Sequence, residues 1–171
     1  MEQAVLHGIH RSHTHAKITV TGQMALSPLL HAIADLNIPL GPLARRPAGW
    51  AFTVPRTAGA LVAATLQSAR PRLGFTRLAL DERIAEVAVT GSGLRSDPAI
   101  RPIFCEALLR IGVHLELMSA TADCLSVLCH DSQAIPATRA LREALEIGIT
   151  GLLLADDQST CVTIQVDRKS G

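Results

Sequence analysis

The chain has 171 residues but no tyrosine, one tryptophan and three phenylalanines. So few aromatic rings leave no platform on which bases or sugars could stack. Neither sign of charge is in excess: sixteen lysines and arginines face fifteen aspartates and glutamates, a formal net charge of +1. An electrostatic binder of nucleic acid or of a membrane surface carries a larger imbalance, so neither partner is expected. There is no run of about 18 apolar residues to span a bilayer and no basic, apolar and small-residue leader. The expected location is the cytoplasm. Four cysteines, Cys105, Cys124, Cys129 and Cys161, include no C-x-x-C pair. They read as reduced thiols without chemistry, because a cytoplasmic chain of this size does not need disulfides to fold.

What is present is aliphatic. Hydrophobic residues make up 48% of the chain, enough for a Leu/Val/Ile/Ala core in one ordinary domain or two small ones. A repeat favours two. Ile18–Gly22 (ITVTG) corresponds to Val87–Gly91 (VAVTG) at an offset of 69, and Ala32–Leu40 corresponds to Ala107–Leu115 at an offset of 75. The first copy thus has six fewer residues between its glycine and its helix end. Units of about 70 residues are too long for a solenoid repeat and suit two small domains.

The second copy is the better marked. Asp97 is placed to cap a helix and Pro98 to begin it. Ile100, Ile103, Phe104, Ala107, Leu108 and Ile111 then recur at helical spacing. Gly112 can close that helix in a left-handed conformation. Val113, Leu115 and Leu117 alternate with polar residues as a half-buried strand does. A further strand at 124–129 and a helix from Ser132 or Ala134 to about Glu146 follow. In the first copy the same order predicts a strand at 17–21, a helix from Ser27-Pro28 to about Leu36 and a strand near 38–45. After the turn Arg46–Gly49 come a strand at 50–54, a helix at 57–69 and a strand near 76–80. Each copy reads βαββαβ. The expected class is α+β and ferredoxin-like, with antiparallel sheets and both helices on one face. The fourth strand of the second sheet has two candidates, Gln3–Ile9 and Thr160–Val166.

These residues resemble a known family. Gly91-Ser92-Gly93-Leu94-Arg95-Ser96-Asp97-Pro98 is similar to the G-x-G-x-R-S-x-P loop in the regulatory half of aspartokinases, a pair of ACT domains. Val113–Ser119 resembles the I-N-I-E-M-I-S strand of that region. Phe52-Thr53-Val54-Pro55-Arg56 resembles its F-T-V-P-R, and Arg139–Leu145 its R-A-L-H-E-A-F helix. The likeness runs from about residue 4 to residue 147, strong in the second copy and thin in the first. It implies a first, degenerate ACT unit at 14–82. It implies a second unit at 1–13 plus 83–171, with the N-terminal strand completing the sheet. Nothing resembles the kinase half, so no catalytic residue, metal or cofactor is expected. The implied role is amino-acid-sensing allosteric regulation of aspartate-family biosynthesis or a related enzyme. The implied partners are a second copy of the chain and a kinase catalytic subunit.

In such modules a free amino acid sits between the strand-to-helix loop of one unit and the second strand of another. Helix N-terminal amides favour a carboxylate there, and small loop residues let the backbone approach it. The implied effector-binding residues are Ser92, Gly93, Leu94, Arg95, Ser96, Asp97 and His114, with Arg45 from the first copy. The effector would be a free amino acid or a similar small carboxylate. The first-copy loop Gly22–Pro28 departs from the family pattern: it is short and lacks the acidic residue. His114 replaces an Asn, and Arg45 falls near a family Gln. Arg45 and Arg46 are placed to meet an anionic ligand instead. Two other classes compete. One is a ligand-independent dimerisation scaffold. The other is metal or thiol chemistry at His7, His10, His13 and His15, with His13 and His15 on one strand face, or at Cys124, Cys129, His114 and His130.

Overall fold

A computed structural model describes residues 4–145. In chain order the elements are β1 (Val5–Ser12), β2 (His15–Thr21), α1 (Leu26–Ala34), β3 (Leu43–Arg46), β4 (Gly49–Pro55), α2 (Gly59–Ser68), α3 (Arg70–Leu73) and β5 (Arg77–Asp81). They continue with β6 (Ile84–Ser92), α4 (Ile100–Arg110), β7 (Leu117–Ala120), β8 (Cys124–His130) and α5 (Ala134–Ala144). Among the described residues no helix is long and apolar enough to cross a membrane. The chain divides into a first unit, His13–Ile84, and a second unit made of residues 4–12 and 85–145.

The first unit carries a four-stranded sheet in the order β3-β4-β2-β5. All three neighbouring pairs are antiparallel. Period-two alternation makes one face of β2 a core face, with Ala16, Ile18 and Val20 fully buried. Leu29, Ala32 and Ile33 recur at three/four spacing on α1, and Val62 and Leu66 do so on α2. These residues meet Ile18, Val20, Phe52 and Val54 in one cluster. Each fully buried side chain of this size contributes about 1.5–3 kcal/mol relative to exposure.

The second unit repeats the arrangement as β1-β6-β8-β7. Val87, Val89, Phe104, Leu108, Val127 and Leu141 form its core. The α+β, ferredoxin-like class read from the sequence is what the two sheets show. The N-terminal strand β1 pairs antiparallel with β6, from Val5 opposite Ser92 to Ser12 opposite Glu86. It takes the position that β5 takes in the first sheet. The rival candidate, Thr160–Val166, lies outside the described residues.

Both repeat glycines have the same physical reason. A Cβ on Gly91 would run into the Val5 carbonyl and lie 3.0 Å from Leu6 Cα. A Cβ on Gly22 would lie 2.9 Å from Thr76 N and 3.0 Å from Phe75 Cα. In each unit the flanking edge segment therefore crosses directly over a residue that has no side chain. The helix ends also match. Gly112 (φ 74°) and its counterpart Asn37 (φ 53°) both turn left-handed. After α4 the Val113 amide donates to Leu108 O and the Gly112 amide to Leu109 O, each at 3.0 Å, in a Schellman closure.

Backbone amides that are committed elsewhere or missing explain why two strands are shorter than the alternation predicts. The Val113 amide is committed to the helix end, so β7 begins only at Leu117. The expected strand near 38–45 is reduced to β3 at 43–46, since Pro39 and Pro42 lack a ladder donor. Gly41 N–H still donates to Thr53 O, and Thr53 N–H to Pro42 O, which continues the pairing irregularly. The helix expected at 57–69 is α2 followed by the separate turn α3. Pro71 is tolerated in that first turn, and Gly74 (φ 75°) closes it.

Gly91→Ala is expected to lower the unfolding free energy by about 2 kcal/mol through overpacking against β1. Gly112→Ala meets open space, and only its positive φ costs, about 1 kcal/mol. Urea titration with amide exchange along β1 tests the difference. Unchanged β1 protection in Gly91→Ala would show that the close approach does not constrain the sheet. Among the described residues Thr53 Oγ1 is buried without a hydrogen-bond partner. Thr53→Val is therefore expected to raise stability by about 1 kcal/mol in the same titration.

Candidate functional site

Each unit presents a strand-to-helix junction, and the two junctions are built differently. In the second unit β6 ends at Ser92 and the chain turns at Gly93 (φ 73°). The Ser96 and Asp97 amides both donate to Gly93 O at 3.0 Å. Leu94, at 3% exposure, packs into the core. Asp97 is 7% exposed. Its Oδ1 accepts the Ala99 amide at 2.9 Å and its Oδ2 the Ala4 amide at 3.2 Å. The first of these is a local side-chain turn across Pro98. Helix α4 consequently starts at Ile100 behind Ala99, which makes no side-chain cap. The cap expected from Asp97 is displaced, because its carboxylate serves the turn and the N-terminal strand instead.

Of the residues that the resemblance singled out, Ser92, Arg95 and Ser96 lie exposed on this loop and Gly93 is half-buried. Leu94 can offer a ligand only its backbone, since its side chain is in the core. His114 is exposed and sits before β7 rather than within a strand. Strand β8 lies between β7 and β6, so about 10 Å separates β7 from the strand that feeds the loop.

The first-unit junction is open. Thr21 O accepts the Thr76 amide at 2.8 Å, and the Gly22 amide donates to Ala48 O at 2.7 Å. These bonds fix the loop between β5 and the β3–β4 hairpin. A cleft of about 620 Å³ lies here, lined by Thr21, Gly22, Gln23 and Met24 on one side and by Arg45–Trp50 on the other. Arg45 and Trp50 are cross-strand partners, with the guanidinium carbon 5.7 Å from the indole centroid. That stacking holds the fork of an exposed arginine in a defined plane. The lining contains two arginines and no carboxylate. Helix α1 begins just beyond, at Leu26, with no side-chain cap and no acidic residue in its first turn. Ser27 and Pro28, expected to open the helix, lie inside α1 as Arg101 and Pro102 lie inside α4, and the preceding loop Gly22–Ala25 has no counterpart of Asp97 and no carboxylate.

Arg45 was legible as an anion-facing candidate, whereas Thr21, Gln23, Met24 and Trp50 were missed. The signal that could have found them is the repeat itself, which maps Gly22 onto Gly91 and thus marks the following residues as the matching loop.

The competing chemistries do not assemble. His10 Nε2 lies 3.0 Å from Thr90 Oγ1, and His15 Nδ1 lies 3.3 Å from Thr14 Oγ1. Strand β2 begins at His15, so His13 does not share a strand face with it. Among the described residues no three His, Cys, Asp or Glu side chains are grouped to hold a metal. Cys129 Sγ lies 3.8 Å from Ala85 O, and His130 Nδ1 lies 2.9 Å from Ser132 Oγ instead of a thiol. Burial, then Asp131 and Glu116, push the Cys129 thiol up to about 11. Burial, then Glu86, raises that of Cys124.

Comparison with known proteins agrees with this architecture. No family model matches the chain. The aspartokinase of Mycobacterium tuberculosis H37Rv is 31% identical over 159 residues, which cover 86% of this chain and 38% of that protein. The chain thus spans well under half the length of the curated relatives it matches. Among solved structures, aspartokinase alpha and beta subunits align with a TM-score of 0.77 at 24% identity, covering 83% of this chain and 99% of theirs. The ligand-free regulatory subunit of aspartate kinase from Thermus thermophilus gives 0.75 at 23% identity, covering 81% and 97%. At such identities a structural match shows a shared fold. In sequence and in fold the chain is similar to the regulatory region of aspartokinases.

Asp97→Ala is expected to cost about 1–3 kcal/mol, leaving two backbone amides without their acceptor. Loss of exchange protection at Ala4 and Ala99 would accompany it, and a variant as stable as the parent would refute the clip. Cys129 gives a pH signature. A thiol whose pKa is higher folded than unfolded favours the folded state while it stays protonated. That contribution is present below pH 9.0 and is lost as pH rises towards about 11. Mapping with an alkylating reagent at pH 8 should therefore find Cys129 and Cys124 slow to react, since the thiolate is the nucleophile. Rapid labelling of Cys129 in the folded protein would contradict the burial.

Proposed function

We propose that this chain, so similar to the regulatory region of aspartokinases, is an allosteric regulatory module without catalysis of its own. It binds a free amino acid or a similar small carboxylate and biases a partner enzyme, a kinase catalytic subunit in the first instance. The observation that carries the proposal is the open cleft at Thr21–Met24 and Arg45–Trp50. It lies at the strand-to-helix junction where this architecture leaves backbone amides for an anion. The matching loop of the second unit is filled from within by Leu94 and Asp97. The first unit is accordingly the sensing half, and the second supports its own sheet and contacts.

Regulation requires that the ligand prefer one arrangement of the protein over another, because equal affinity for both shifts nothing. Homodimerisation supplies such arrangements. Strand β7 ends its sheet, and a second copy packed beside it would face His114 and the exposed Met118. The module works in the cytoplasm, where an enzyme of amino-acid biosynthesis would meet it. A ligand-independent scaffold is the second reading, favoured for the second unit alone by its closed loop.

A thermal-shift screen of the twenty amino acids and small carboxylates tests the proposal. A ligand at 100 times its dissociation constant stabilises by about 2.7 kcal/mol, a shift of roughly 5–10 °C for a chain of this size. Arg45→Gln should abolish the shift while leaving the unliganded melting temperature unchanged. If no compound of either class shifts the parent protein, the sensor reading fails and the scaffold stands.

A further inference from the structure

The charge and chemistry of the first-unit cleft narrow its ligand beyond what a regulatory role requires. Ten residues line it, and the ionisable ones are Arg45 and Arg46. A zwitterionic amino acid needs an acceptor for its ammonium group as well as a donor for its carboxylate. The most obvious carbonyl acceptors at the loop are already engaged: Thr21 O by the Thr76 amide and hydroxyl, Ala48 O by the Gly22 amide. The ammonium would therefore face the Arg45 guanidinium with no carboxylate in the lining to receive it. A lysine-like ligand would add a second cation to the same wall. A dianion meets the opposite situation. Arg45, braced on Trp50 at 5.7 Å, presents a planar fork that suits a carboxylate or phosphate in two parallel hydrogen bonds. Arg46 supplies a second positive charge along the hairpin, and Thr21 and Gln23 supply neutral hydrogen-bonding groups opposite. The volume of about 620 Å³ is in the range that holds small metabolites.

We propose that the cleft between Thr21–Met24 and the Arg45–Trp50 hairpin binds a small doubly charged anion, a dicarboxylate or a phosphate monoester, in preference to a zwitterionic or cationic amino acid. This inference rests on the regulatory-module reading and specifies the ligand class of the same site. The second unit supports it by contrast, since its junction carries the Asp97 carboxylate and the loop Gly22–Ala25 of the first carries none. One junction holds an anion of its own, and the other is lined to take one from solution.

The test uses the whole 171-residue chain, with calorimetry and thermal shift at low ionic strength. The probes are succinate, inorganic phosphate, L-alanine and L-lysine. Succinate or phosphate is expected to bind at least tenfold more tightly than either amino acid, and to weaken as salt is added. Which of the two binds distinguishes the dicarboxylate from the phosphate class, and either result supports the proposal. Arg45→Gln should weaken binding tenfold or more. Arg45→Lys, which keeps the charge but not the fork, should remain several-fold weaker than the parent. Arg101→Gln, an exposed charge on α4 in the other unit, should change nothing. Preferential binding of L-alanine or L-lysine would overturn the dianion assignment while leaving the regulatory module intact. Anion binding that survives Arg45→Gln undiminished would overturn the site. No binding by any probe, together with no hit in the amino-acid screen, would remove both proposals.

Discussion

The strand β1 crossing over Gly91 is the contact on which the rest of the second unit depends. A βαββαβ sheet is complete only when a fourth strand covers the outer side of its first, and here that strand comes from the opposite end of the chain. Val5 lies opposite Ser92 and Leu6 opposite Gly91, at an approach that no residue with a Cβ allows. Once β1 is in place, Leu6 and Ile9 join the core of Val87, Val89 and Leu141. The first unit, 13–84, is then an insertion between β1 and its partner strand β6. Its own close approach, over Gly22, is made by the segment that leads into β5.

The same contact shapes the loop chemistry. Because β1 begins beside the β6–α4 junction, the Ala4 amide comes within 3.2 Å of Asp97. The carboxylate is nearly buried there and shared between two backbone donors. A charge-assisted bond of this kind is stronger than a neutral one, and it spends the loop's acceptor on the fold. Leu94 beside it packs its side chain into the core. In the first unit the corresponding edge segment is held by Thr76 on Thr21 O, which uses only backbone and hydroxyl groups. That loop is left with no anion of its own, and the β3–β4 hairpin adds Arg45, Arg46 and Trp50. Duplicated scaffolds have thus diverged by the placement of one carboxylate and the composition of one hairpin.

Much of the fold was legible because periodicity is local. Ala16, Ile18 and Val20 alternate, Leu29, Ala32 and Ile33 recur at helical spacing, and the offset between ITVTG and VAVTG reveals the duplication. Strand ends were less legible. Pairing past β3 is disturbed by two prolines, and the start of β7 is delayed by the Val113 amide bonded back to Leu108. Both are hydrogen-bond commitments that an apolar pattern does not record. The second-unit junction was legible as a motif, but its internal contacts were not. A strand–glycine–loop–helix signal is strongest at 86–100, and Gly93, Leu94 and Asp97 do form the tight junction it describes. What the pattern could not register is that Leu94 points into the core, or that the Asp97 carboxylate meets a residue 93 positions away.

The sequence by itself determined the α+β class, the repeated strand–helix–strand–strand–helix order and the glycine at each junction. Each of these follows from residue spacing within a short window or from composition. The tertiary structure alone decided which junction is open, because openness depends on groups distant in the chain. Ala4 reaches Asp97 only after β1 has crossed the first unit's entire length in sequence. Arg45 meets Trp50 and faces Thr21–Met24 only once the hairpin has paired with β2. The cleft lined by Thr21–Met24 and Arg45–Trp50 lies in the weaker copy of the repeat, whose loop is short and carries no carboxylate.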